Sequence, residues 1–179
     1  GMSLAWHSGV GVTAPSYYEP EGLGWLRSFG GGLVATCGLT HAGAATVDFG
    51  GELGLHGRVG NLPASGVSAG GCWDGDEYIV SAGGEVRESV VFGANLAMNR
   101  KVWGRLGERR FFIEDRVRNE SFHRVPHQIL YHINLGFPLV DAGSRLFTPS
   151  TRVTPRDAEA RRDGHEWNLV INPVPEFAE

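Results

Sequence analysis

Two segments of this chain place a histidine where it can move protons. One is Gly54-Leu55-His56-Gly57-Arg58-Val59-Gly60-Asn61, the other Leu130-Tyr131-His132-Ile133-Asn134-Leu135-Gly136. Imidazole is the side chain best matched to proton transfer near neutral pH. Two of them, brought together by a fold, would suit a reaction that moves only protons. Around His56, glycines 54, 57 and 60 permit a sharp turn or a close approach to a ligand. Arg58 and Asn61 add directional donors. The plainer alternative is a hairpin loop carrying a surface histidine. On a strand, Leu130, His132 and Asn134 share one face, and Tyr131, Ile133 and Leu135 the other. His132 and Asn134 are then a polar pair inside core-like sequence, and buried polar groups need partners. The alternative is a core histidine bonded to a main-chain carbonyl.

Other residues weigh less. His123 and His127 are four apart. On a strand that is about 13 Å, too far for one ion, and Pro126 disfavours the helix that would bring them together. His7, His41 and His165 have no supporting context. Gly30-Gly31-Gly32 lacks a following Lys-Ser/Thr and a helix, so it reads as a turn rather than a phosphate loop. No G-x-S-x-G elbow occurs, so an α/β-hydrolase has no anchor. Trp25, Trp73 and Trp103 have rings that can stack on sugars, although core packing is the commoner fate of tryptophan. Cys37 and Cys72 form no C-x-x-C motif. The preferred reading is two buried free thiols in a reducing cytoplasm, with a disulfide between them left open.

The elements that must position these histidines read as strands. Leu96, Met98 and Val102 share one parity. Phe111, Ile113 and Val117 share another beyond a turn at 104–108, which predicts an antiparallel hairpin. A turn at Asn119-Glu120-Ser121 precedes a strand over 123–134 that carries His132. Tyr78 to Val80 and Val86 to Phe92 read as two strands split by Gly83-Gly84. Short strands are expected at 33–36 and 45–47. Asp157 to Arg162 is the best helix candidate, and a short one. Residues 8–32 are loop-like and rich in glycine and aromatics. The fold class is therefore all-β, a mainly antiparallel β-sandwich with glycine- and proline-rich loops.

With 179 residues, 41% of them hydrophobic and 20% charged, the chain is expected to form one globular domain over 1–179. A formal net charge of -4 argues against nucleic acid or anionic membrane as partner. No apolar run reaches membrane-spanning length, and the first residues do not form a signal peptide. A cytoplasmic location is the expectation.

These residues resemble a known family. Leu55-His56-Gly57 is similar to the Leu-His-Gly motif of aldose 1-epimerases (galactose mutarotases). Val117-Arg118-Asn119, then Pro126, then Tyr131-His132-Ile133-Asn134-Leu135 is similar to that superfamily's second block. A bacterial branch of the superfamily is closer still. Its members carry versions of Phe29-Gly30-Gly31-Gly32-Leu33, Thr36-Cys37-Gly38-Leu39, Leu55-His56-Gly57-Arg58 and Leu130-Tyr131-His132-Ile133-Asn134. The resemblance covers roughly residues 4–150.

It implies a galactose mutarotase-like supersandwich and an isomerase that interconverts sugar anomers by acid/base ring opening. His132 would protonate the ring oxygen. His56 would steady the substrate or its developing charge. Arg58, Asn61 and Asn134 would be substrate contacts, and the ligand a monosaccharide or sugar derivative. No metal or organic cofactor is implied. The family is longer at both ends, so the sandwich is expected to be partial. Its catalytic glutamate has no evident counterpart here. Glu176 follows His132 too soon, and nothing local marks Glu77, Glu88 or Glu114. The alternative is a non-catalytic sugar-binding protein. Missing strands would leave sheet edges on which a homodimer can form. A cupin-type metal enzyme is disfavoured, because no H-x-H cluster is present.

Overall fold

The structure is a computed structural model, and it describes residues 3–48, 51–162 and 166–171. The strands are β1 (Val34–Leu39), β2 (Thr46–Asp48), β3 (Gly51–Leu53), β4 (Ala64–Asp74), β5 (Glu77–Ser89), β6 (Asn95–Arg105), β7 (Phe112–Asn119) and β8 (Gln128–Ile133). Short 3₁₀ turns occupy Pro15–Tyr17, Gly24–Arg27 and Val59–Asn61, and an α-helix, α1, spans Ala158–Arg162 as expected. No helix among the described residues is long and apolar enough to cross a membrane.

The long strands β4-β5-β6-β7 form one antiparallel meander. The β6–β7 hairpin is the one the alternation predicted, with Val102 opposite Ile113 and Met98 opposite Val117. Strands β1 and β8 form a separate antiparallel pair, and β2 pairs with β3. Leu39 of β1 and Ile129 of β8 pack against Val86, Leu96, Met98 and Val117 of the meander, with Val59 and Val125 filling in. Two antiparallel layers over one apolar core make the expected β-sandwich.

Several expectations are corrected. Residues 77–89 are one strand, not two. A Cβ on Gly83 would lie 2.6 Å from the Arg100 carbonyl oxygen, so this glycine marks a close backbone approach inside a strand rather than a break. Val90 to Phe92 lie outside it, and Phe92 is left-handed at φ 62°. Strand β4 was not expected, since its small residues carry no alternating pattern and all are exposed. It exists through pairing: a two-residue loop with Gly75 at φ 60° returns the chain into a long ladder with β5. The strand carrying His132 begins at Gln128, not 123, because Pro126 has no N–H for a ladder. Cys37 and Cys72 are both free, and only Cys37 is buried.

The carboxylates of Asp115 and Glu88 join the layers. The Tyr131 hydroxyl donates to Asp115 on β7 at 2.7 Å, and Asp115 also takes a two-pronged bond from Arg100 on β6. Glu88 on β5 reaches the end of β1, accepting from the Leu39 N–H and the Thr40 hydroxyl.

Candidate active site

With Ile129 in the core and Tyr131 reaching β7, strand alternation sends Leu130, His132 and Asn134 to the opposite face of the β1–β8 pair. His132 stands opposite Ala35. Its Nδ1 lies 2.6 Å from Asn134 Oδ1. The Asn134 amide nitrogen donates to the Gly32 and His132 carbonyls, at 2.8 and 3.1 Å. Those two bonds orient the amide, so Oδ1 is the acceptor and Nδ1 carries the proton. Nε2 is left without a protein partner among the described residues.

His56 arrives from the loop after β3. It is a non-glycine residue at φ 61°, followed by Gly57 at φ 70°. This pair of left-handed residues is held by main-chain bonds. His56 N–H donates to Gly43 O at 2.8 Å, Gly38 N–H to His56 O at 3.1 Å, and Arg58 N–H to Gly38 O at 2.9 Å. The Tyr18 hydroxyl donates to Gly57 O at 2.9 Å. A Cβ at Gly57 would sit 2.1 Å from the His41 carbonyl oxygen, so only glycine fits there.

The loop thereby sets the His56 ring edge-on to His132, centroids 5.5 Å apart. Trp25, 6% exposed, lies 4.6 Å from His56 and 6.0 Å from His132. Phe29 stacks on Trp25 at 4.1 Å and meets His132 edge-on at 5.4 Å. The two imidazoles therefore share an aromatic wall. Burial pushes the His56 pKa below the ordinary imidazole value, and the neighbouring His132 and His41 push it the same way. His56 Nδ1 is buried without a hydrogen-bond partner among the described residues.

A family model described as Domain of unknown function (DUF4432) matches residues 1–179. The chain belongs to this family. Among solved structures it is similar to the crystal structure of "a putative aldose 1-epimerase" from Klebsiella pneumoniae subsp. pneumoniae MGH 78578. The identity is 29% over 97% of this chain and 46% of that one, with a TM-score of 0.90. The DUF4432 chain thus spans about half the length of that protein, and its fold is that of the galactose mutarotase-like superfamily. Comparison with curated proteins gave no match.

Of the five site residues expected in this DUF4432 chain, the structure gathers His56, His132 and Asn134. Arg58 faces a cavity of about 320 Å³ that is also lined by Thr40, His41, Glu52 and Glu88, and its Nε is buried without a partner among the described residues. Asn61 ends a 3₁₀ turn, its N–H bonded to Arg58 O at 3.0 Å. No side-chain hydrogen bond among the described residues ties it to either imidazole. His127, an exposed residue, bonds the Leu39 carbonyl at 3.2 Å, away from the two imidazoles. No group of three or more metal-ligating side chains occurs among the described residues. His165 and Glu176 lie outside the described residues. Sequence reasoning did not anticipate Phe29 as a wall residue or Glu88 as a buried one. The aromatic richness of residues 8–32 was a usable signal for the first, while Glu88 had none.

Proposed function

We propose that this chain carries the histidine half of a sugar-binding site with aldose 1-epimerase chemistry. The observation behind the reading is the pair of imidazoles with centroids 5.5 Å apart, one with its tautomer fixed and the other pushed toward its neutral form by burial. With Nδ1–H committed to Asn134, His132 exchanges protons through Nε2. As imidazolium it gives the Nε2 proton to the pyranose ring oxygen while the C1–O bond breaks. A base takes the C1 hydroxyl proton, and C1 becomes the open-chain carbonyl. Rotation about the C1–C2 bond and reclosure return the proton to His132 and give the other anomer. Neutral His56 offers one ring nitrogen to a sugar hydroxyl. Arg58, Asn61 and Asn134 remain the proposed substrate contacts. The name of the Klebsiella protein supports a carbohydrate ligand for the shared fold.

A second reading is a sugar-binding protein without catalysis. Among the described residues, no carboxylate hydrogen-bonds or ion-pairs with either imidazole, so the base of the enzymatic reading has no placed candidate. Magnetisation-transfer NMR on a panel of aldoses separates the two. Anomer exchange that disappears in His132→Ala supports the enzyme. Saturable binding with no exchange selects the binding protein. The meander's edge strands β4 and β7 have no further strand partner among the described residues, which suits pairing of two copies, and solution mass would reveal a dimer.

A further inference from the structure

Glu88 is 4% exposed and plays no part in the proton transfers above. A buried carboxylate is costly unless its oxygens are bonded. Here one oxygen accepts from the Leu39 N–H at 2.6 Å and the other from the Thr40 hydroxyl at 2.5 Å. Leu39 directly follows Gly38. The Gly38 N–H holds the His56 carbonyl, and the Gly38 carbonyl holds the Arg58 N–H. A carboxylate rooted in the four-stranded meander therefore fixes the end of β1, and the preceding residue, Gly38, grips both sides of Gly57.

We infer that Glu88 is a positioning residue for His56. It clamps Leu39 and Thr40 so that Gly38 holds the left-handed His56-Gly57 turn with its imidazole facing His132. Glu88 is not the base itself. Leu39 pairs with Gln128 and Ala35 with His132, so the clamp sits four residues along β1 from His132, about 13 Å away. The inference adds to the proposed function and rests on it only for activity. The positional claim concerns hydrogen bonds that are measurable without substrate.

The experiment is site-resolved amide hydrogen exchange on the full chain, with the ¹⁵N spectrum of its histidine rings, in wild type, Glu88→Ala, Glu88→Gln and Thr40→Val. In Glu88→Ala, the Gly38 and Arg58 amides should exchange about tenfold faster or more, the effect of losing hydrogen bonds to a charged group. The His56 ring signals should move, and mid-β6 amides should keep their rates. Glu88→Gln should restore the wild-type pattern, because its oxygen can accept from Leu39 and its amide can donate to Thr40. Uniform acceleration across β6 and the loop, or no change at Gly38 and Arg58, would overturn the positioning role. Should Glu88→Ala fail to fold, Thr40→Val, which removes one of the two bonds, must show the same selective loss. Where wild type exchanges anomers, Glu88→Ala should lower kcat/KM with KM raised, because the misplaced His56 loses its contact with the sugar hydroxyl. Wild type without anomer exchange would defeat the enzymatic reading alone and leave the exchange data to decide the clamp.

Discussion

His132 and Asn134, two residues apart at the end of β8, are joined by a 2.6 Å bond that commits the His132 proton to Nδ1. The amide that accepts it is itself locked by donating to Gly32 O and His132 O. Asn134 thus acts on His132 as an orienting group, and it does so without charge. A neutral orienter fixes the tautomer without adding the extra attraction for imidazolium that a carboxylate would supply.

Asn134→Ala should release that tautomer. In the neutral protein, ¹⁵N NMR should find the His132 proton on Nδ1 in wild type and shared between the two nitrogens in the variant. Leaving the Gly32 carbonyl and His132 Nδ1 without their partner should cost about 1–3 kcal/mol in urea unfolding. An unchanged tautomer would mean that packing against Phe29, not the amide, holds the ring.

The backbone at His56 carries its own cost. At φ 61° a side chain with a Cβ pays roughly 1–2 kcal/mol that glycine does not. His56→Gly should therefore be more stable than His56→Ala by about 1–2 kcal/mol, with both equally devoid of the imidazole. Equal stability of the two variants would show that the loop relaxes out of the left-handed region.

Burial should also make His56 a pH-sensitive element. Its folded pKa lies below the ordinary value of about 6.5. The unfolded chain then binds more protons between those two values, so stability rises with pH through that window. The contribution is complete above about pH 6.5 and is lost as pH falls toward the folded pKa. Urea midpoints across pH 5–8 should slope accordingly in wild type and flatten in His56→Asn, since asparagine tolerates the left-handed backbone without titrating. An identical slope in both proteins would assign the dependence to another group.

How much of this was legible in the sequence depended on whether a feature is written locally. The β6–β7 hairpin was readable because Leu96, Met98, Ile113 and Val117 alternate against one core. The His132–Asn134 pair was readable because strand geometry puts residues i and i+2 on one face. Strand β4 was hidden, since Ala64–Asp74 draws its structure from its partner rather than from its own composition. Glu88 was hidden for a related reason. Its acceptor role is defined by Leu39 and Thr40, nearly fifty residues earlier, and no spacing rule links them. Gly83 misled because a glycine that breaks a strand and one that admits a neighbouring carbonyl look alike until that neighbour is placed.

The contact beneath His132 gives a second, separate acid transition. Tyr131, next to His132 but on the core side of β8, donates to Asp115, whose side chain is 5% exposed and paired with Arg100 at 2.6 Å. Burial pushes the Asp115 carboxyl up, but the Arg100 and Tyr131 hydrogen bonds outweigh it and hold it below the ordinary carboxylate value. Its contribution to stability is thus present above about pH 4 and is lost as pH falls through the folded pKa, well below the His56 window. Asp115→Asn should remove about 3 kcal/mol at neutral pH by leaving Arg100 without its charge partner, and Tyr131→Phe about 1 kcal/mol. Because Tyr131 ties β8 to the meander, both variants should also loosen the His132 strand. Amide exchange at Ile133 and Asn134 should then accelerate with the fall in stability. A neutral-pH urea midpoint unchanged in Asp115→Asn would show that the two layers are held by their apolar contacts alone.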